Sequence, residues 1–301
     1  MGLTQIRDFL AVVESGSVRG AARELSVAQP TITKSIRGLE TELHVQLLAR
    51  NARGVVLTPA GRAFFARARV AQSELRKAEE EAAQAGGSSG GSVAFGVGPA
   101  GIALIVPEAL SRFRKQFPHA KVRIVEGLAH LLLPEVRDES LDFVMGLRPH
   151  TALDRALKFR PLYCSDVLVC ARKGHLLLHT RSLAALATAD WLTTSTMALP
   201  GGALERLFVS ADLTPPQPVI RCESYNTVVT LLAKTDMVGV IQRRLLQEPF
   251  ARDYLEEIPI AITMPTLTAG IFTRADTPLT RVAAAMAKAA TTVARGLARA
   301  D

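Results

Sequence analysis

The run Gly86-Gly87-Ser88-Ser89-Gly90-Gly91-Ser92 most constrains what this chain can fold into. Seven consecutive glycines and serines cannot hold a helix, so 86–92 is expected to be a flexible hinge. The chain's 301 residues already exceed the roughly 100–200 of one compact domain. Before the hinge the apolar residues recur at helical spacing, as Ile6, Phe9, Leu10 and Val13 and again as Ile32, Ile36, Leu39 and Leu43. After it, strand-like and helix-like stretches alternate. Strands at 93–97 and 122–125 precede helices near 102–116 and 128–139. Further strands are expected at 141–145, 167–170, 219–222, 238–241 and 269–273, with an Ala-rich helix from about Pro278. Such βαβ order implies a parallel sheet covered by helices. The expected fold is therefore an all-α N-terminal part followed by an α/β domain of about 200 residues.

Charge sharpens the division. The net charge is +8 and the pI about 9.8. Residues 1–70 carry ten cations against five anions, so +5 falls in less than a quarter of the chain. A basic segment of this kind suits a polyanionic partner. No apolar run approaches the ~18–20 residues of a membrane span. Arg7, Asp8, Glu14 and Arg19 interrupt what would be the apolar core of a signal peptide, so a cytoplasmic protein without membrane contact is expected. Cys164, Cys170 and Cys222 are too few for a disulfide framework. They are expected to be buried apolar side chains, with redox sensing as the alternative. The six histidines, His44, His119, His130, His150, His175 and His179, show no metal-ligand spacing. No nucleophile elbow, P-loop or dinucleotide fingerprint occurs. Neither an enzyme nor a resident metal or cofactor is expected.

Residues 17–43 carry the densest signal. Ser17 is placed to cap a helix through Ala21, Ala22 and Leu25. A break at 26–28 precedes a second helix starting near Gln29-Pro30, where proline's missing N–H costs nothing. Ile32, Ile36 and Leu39 anchor this helix from behind, and Gln29, Thr31, Thr33, Lys34 and Arg37 form its opposite face. Two readings fit: a helix-turn-helix with its second helix in the major groove, or a helical hairpin with a solvated basic face. The next stretch favours the first. Residues 47–58 read as two short β segments around a Gly-containing tip, a wing carrying Arg50 and Arg53, and Thr58-Pro59 then start a long helix.

In this region the chain resembles the LysR-type regulators. Ala21-Ala22-Arg23-Glu24-Leu25, Gln29-Pro30-Thr31-Ile32-Thr33, Leu39-Glu40 and Arg53-Gly54-Val55-Val56-Leu57-Thr58-Pro59-Ala60-Gly61 follow that family's order and spacing. The chain departs from it with Ala28 and Thr33 where serines are usual, Thr31 for Ala or Val, Leu48 for Phe and Ala49 for Glu. The resemblance implies a winged helix-turn-helix at 1–58 that binds double-stranded promoter DNA. The expected contacts are Ala28, Gln29, Pro30, Thr31, Thr33, Lys34, Arg37, Arg50 and Arg53.

From Phe64, apolar and small residues continue at Ala68, Ala71, Leu75, Ala78, Ala82 and Ala85, in alternating steps of four and three. Such steps make either a coiled-coil seam or one helix packed on its own domain. The resemblance implies that 59–85 is a linker helix pairing antiparallel, giving a dimer and often a tetramer. It further implies that 93–301 is a periplasmic-binding-protein-like regulatory domain with a small-molecule effector in the cleft between two subdomains. The first would span about 93–162 and 267–301, the second about 163–266. Candidate effector contacts lie where strands end: Gly98, Pro99 and Ala100; Gly127 and Leu128; Leu147 and Arg148; and Ser195, Thr196 and Met197. Arg148 is the expected partner of an anionic ligand, with a solvated surface arginine as the alternative. Leu128, Leu147 and Met197 make an aromatic or other organic acid the expected effector. RNA polymerase is an expected further partner. The rival functions are a DNA architectural protein and a cysteine-based redox regulator.

Overall fold

Burial of one apolar stripe per helix builds the first part of the molecule, which a computed structural model describes over residues 1–51, 54–86, 90–198 and 200–297. For Arg50, Asn51 and Thr196 the backbone alone is described. The chain forms two compact units, the first running to Gly86. Its elements are α1 (Leu3–Ser15), α2 (Val18–Glu24), α3 (Gln29–Leu43), β1 (Leu48–Asn51), β2 (Gly54–Leu57) and α4 (Pro59–Ala85). Phe9, Leu10, Val12, Ala21, Ile32 and Leu39 are its fully buried centre. The rings of Phe64 and Phe65 meet Phe9 edge-on at 5.2 and 6.4 Å, tying the start of α4 to α1.

Capping groups set where these helices begin. Ser17 Oγ accepts the Gly20 N–H at 2.9 Å, and Thr58 Oγ1 accepts the Gly61 N–H at 2.9 Å. β1 and β2 pair antiparallel with Leu48 opposite Leu57 and Asn51 opposite Gly54. Gly54 has φ +123°, and its neighbour Val55 donates to the Gly16 carbonyl at 3.1 Å. A Cβ on Gly54 would stand 2.7 Å from that same oxygen, so only glycine lets the wing close on the end of α1.

The second unit holds β3 (Ser92–Val97), α5 (Pro99–Leu104), α6 (Val106–Gln116), β4 (Lys121–Glu126), α7 (Ala129–Arg137), β5 (Phe143–Leu147), β6 (Leu157–Arg172) and β7 (Trp191–Thr194). It continues with α8 (Ser195–Ala198), α9 (Ala203–Val209), β8 (Ile220–Cys222), α10 (Tyr225–Lys234), β9 (Val238–Gln242), α11 (Arg243–Leu246), α12 (Pro249–Arg252), β10 (Leu255–Glu257), β11 (Thr266–Arg274) and α13 (Arg281–Leu297). The strand order is β4-β3-β5-β11-β6-β9-β7-β8, with β10 also on β6. The outer pairs, β3 with β4 and β5, and β7 with β8 and β9, are parallel, as the βαβ order predicts. The two long middle strands run antiparallel to their neighbours. β6 changes partner along its length: Leu157–Asp166 pairs with β11, and Val167–Cys170 pairs with β9. Two parallel groups thus share one long strand. Phe95, Phe113 and Phe143 fill the core of one group, and Trp191, Phe208 and Val238 that of the other.

Several element boundaries differ from the sequence expectation. The helix expected near 102–116 is two helices, because Pro107 has no N–H to continue the ladder and the chain breaks at Ile105 (φ −122°). The strand expected at 141–145 begins at Phe143, opposite Phe95. The Asp142 carboxylate just before it accepts the Ala94 N–H at 2.8 Å. The last helix begins at Arg281 rather than Pro278, since Thr280 Oγ1 accepts the Ala283 N–H. Of the expected hinge, Gly87, Ser88 and Ser89 lie outside the described residues, and Ser92 already pairs with Lys121 in β3.

Candidate functional site

Two surfaces gather the residues singled out in the sequence. On the first unit, α3 starts at an extended Ala28 (φ −70°, ψ 140°) that supplies no side-chain cap. Pro30 carries no N–H and the Thr31 N–H bonds the Ala28 carbonyl at 3.0 Å, so the helix start offers the positive end of the macrodipole rather than a row of free donors. Ala28, Gln29, Pro30, Thr31, Lys34 and Arg37 are exposed, while Ile32, Ile36 and Leu39 are buried behind them. Thr33 is half-buried, its hydroxyl donating to the Gln29 carbonyl at 3.1 Å. Gln29, Pro30, Thr33, Lys34 and Arg37 line one surface depression. This face combines amide, hydroxyl and cationic groups, the set that bonds base edges and phosphates. Arg50 lies in β1 opposite Val55, its side chain outside the description, and Arg53 lies outside the described residues.

Glu40 organises this surface without touching it. Its carboxylate accepts the N–H groups of Leu47 (2.8 Å) and Leu48 (3.1 Å), fixing where β1 leaves α3. Thr58 completes the joint, donating from Oγ1 to the Gln46 carbonyl at 2.7 Å. The Leu39-Glu40 pair stood out in the sequence, but a carboxylate that bonds backbone seven residues on has no periodic signature.

On the second unit, a cleft opens at the carboxyl ends of the parallel strands. One wall comes from the β3–α5 turn (Gly98 to Gly101), the start of α7 (Leu128, Ala129) and the end of β5 (Met145 to Leu147). The other comes from Thr194, Met197, Tyr225, the end of β9 (Val240 to Gln242) and Leu245, with Tyr163 and Ala269 on the crossing strands between. Of the expected contacts, Gly98, Pro99, Ala100, Leu128, Leu147 and Met197 line it. Gly127 does not; it lies just past β4, its N–H bonded to the Val97 carbonyl at 3.1 Å. Ser195 lies beside the cleft, donating to the Glu223 carboxylate at 2.6 Å, with the His130 Nε2 3.3 Å away. The Thr196 side chain is outside the description.

Arg148 also does not line the cleft. It is exposed, and its guanidinium rests over the Phe159 ring at 5.4 Å. This cation–π contact competes with any turn toward the cavity. Among the described residues, none that lines the cleft carries a charge. Burial pushes the Tyr163 phenol up to about 12, with Arg244 pulling weakly the other way, and pushes Tyr225 up as well. Both phenols therefore keep their protons at neutral pH and stay hydrogen-bond donors. Tyr163, Tyr225 and Gln242 were missed in the sequence. For Gln242 a signal existed: it ends the strand Val238-Gly239-Val240-Ile241, where ligand-contacting residues of parallel sheets gather.

Known proteins agree with this layout. Residues 3–62 match the description "Bacterial regulatory helix-turn-helix protein, lysR family", and residues 86–295 match "LysR substrate binding domain". The transcriptional regulator GalR of Pseudomonas putida is 30% identical over 272 residues, covering 90% of this chain and 68% of GalR. A full-length OxyR variant from Pseudomonas aeruginosa shares the fold at TM-score 0.71 and 23% identity, covering 98% of this chain and 97% of that one. Full-length CbnR in complex with its target DNA shares it at TM-score 0.69 and 20% identity, covering 97% of this chain and 100% of that one. The chain belongs to the LysR family of bacterial transcriptional regulators, with an N-terminal helix-turn-helix and a C-terminal effector-binding α/β domain.

Proposed function

We propose that the α3 face reads promoter DNA and that a small molecule held in the α/β cleft sets the regulatory output. The observation that carries this is the exposed set Gln29, Pro30, Thr31, Lys34 and Arg37 above a fully apolar inner face. Gln29 and Thr31 bond base edges, and Lys34 and Arg37 meet phosphates. Ala28 and Thr33 border the contact, and Arg50 and Arg53 of the wing add backbone contacts. A relative's solved complex with its target DNA supports the assignment. Two heads, paired through the linker helix 59–85, bind a dyad-symmetric site as a dimer or tetramer in the cytoplasm.

The regulatory domain divides where β6 and β11 cross. The proposed subdomains span about 93–162 with 267–301, and 163–266. Effector binding closes the cleft by its differential affinity for one arrangement of the subdomains. The spacing of the heads then changes, and with it the access of RNA polymerase. Gly127, Arg148, Ser195 and Thr196 take part only when the cleft closes.

Footprinting and salt-dependent binding on the chain's own upstream region test the DNA assignment. Lys34→Ala and Arg37→Ala should each cost about 1–3 kcal/mol and lower the salt slope by about one. Unchanged affinity and slope in both would sink the assigned face. A basic architectural protein would instead show no discrete footprint.

A further inference from the structure

Two residues from opposite walls of the cleft meet at its edge. His130 follows Leu128 and Ala129 at the start of α7, and both of those line one wall. Ser195 follows Thr194 and stands two positions before Met197, and both of those line the other wall. The Ser195 Oγ is 3.3 Å from His130 Nε2. Strand register places the second partner of Ser195. β7 and β8 run parallel with Thr194 opposite Cys222, so Ser195 and Glu223 are the next residues past two paired strand ends. The Ser195 hydroxyl donates to the Glu223 carboxylate at 2.6 Å.

A hydroxyl has one proton, and here Glu223 receives it. The contact with His130 therefore runs the other way, with Nε2–H donating to the Ser195 oxygen. The result is a directed relay, imidazole N–H to hydroxyl to carboxylate, in which each bond polarises the next. His130 and Ser195 are half-buried and Glu223 is exposed, so water replaces each partner when the walls part. Such a contact costs little to open and re-forms readily, which suits a gate better than a permanent brace. We propose that the His130–Ser195–Glu223 relay gates the cleft, closing the edge between α7 and α8 at rest and opening to admit the effector. Its role in entry rests on the cleft assignment above.

Thiol labelling of the full chain reads the gate with no effector present, so the gate can fail while the effector site stands, and the reverse. Leu128→Cys puts a reporter thiol on the cleft lining at a position 6% exposed, in a chain that also carries Cys164→Ser and Cys222→Ser. Native Cys170, fully buried in the same unit, reports global unfolding. With N-ethylmaleimide under native conditions, Ser195→Ala should speed the reporter about fivefold or more and leave Cys170 unchanged. His130→Leu should do the same, and the two together should add little to either alone, since both break one contact. Ser195→Thr keeps the hydroxyl and should stay within about twofold of the parent rate. An unchanged reporter rate in Ser195→Ala overturns the gate. A rate that rises equally at Cys170 also overturns it, because that marks general destabilisation. Effects that multiply in the double variant assign the two side chains separate roles and overturn the relay.

Discussion

Gly61 sits in the first turn of α4, where a Cβ would meet the Leu47 carbonyl oxygen at 1.9 Å. Glycine to alanine inside a helix ordinarily stabilises by roughly 0.5–1 kcal/mol. Here the obstacle is backbone, which cannot swing aside, so Gly61→Ala should destabilise the first unit by about 3 kcal/mol or more. A denaturation midpoint equal to or above the parent's would refute that packing. The cysteines are also decided one residue at a time. Burial drives the Cys170 thiol well above its ordinary value, and burial with the neighbouring Glu223 raises Cys222. Cys164 is exposed. It stands six residues from Cys170 on β6, roughly 20 Å at strand rise, far beyond disulfide reach. Cys170 and Cys222 are three strands apart, roughly 14 Å. Thiol titration of the native chain at neutral pH should therefore modify Cys164 first and leave Cys170 unreacted. Rapid modification of Cys170, or a disulfide under mild oxidant, would revive the redox alternative. None of these distinctions was visible in the spacing of the cysteines. Burial is a property of the packed neighbours.

At the scale of elements, α4 shows how far periodicity carries an argument. The seam starting at Phe64 fits both a dimer helix and a helix packed at home, and the structure assigns its parts differently. Phe64 and Ala68 are packed into the first unit's own core beside Phe9. Ala71, Leu75, Ala78, Ala82 and Ala85 face outward and are exposed. The heptad pattern alone does not separate these halves, because both bury one stripe of the same helix. If the outer half pairs two chains, Ala78→Glu should shift sedimentation toward the monomer and weaken DNA binding through lost avidity. An unchanged sedimentation coefficient would place the interface elsewhere. β6 gives the opposite lesson. Only Leu157 to Arg160 alternate apolar and charged, 161–166 follow no period, and Val167 to Ala171 are continuously apolar, so sequence periodicity picks out only 167–170. The full strand exists because β11 and β9 satisfy its two halves in turn.

For the whole molecule, two compact units predict two unfolding transitions that respond to different partners. A cleft ligand at about 100 times its dissociation constant should add about 2.7 kcal/mol to the second unit's transition alone. Operator DNA should raise the first. A ligand that moved only the first transition would contradict a cleft site. The division itself, the helix-turn-helix and the α/β character of the larger unit were legible along the chain. They depend on local matters: glycine's freedom, capping groups and the period of apolar residues, each acting within a few positions. The cleft was half legible, because the carboxyl ends of parallel strands converge by rule. Which side chains enter it was not. Arg148 turns to Phe159 instead of the cavity, and Tyr163, Tyr225 and Gln242 reach it from elements up to about 80 residues apart. Their meeting depends on β6 crossing between two groups of strands, a long-range pairing that no local pattern encodes, so which side chains line the cleft was decided only by tertiary structure.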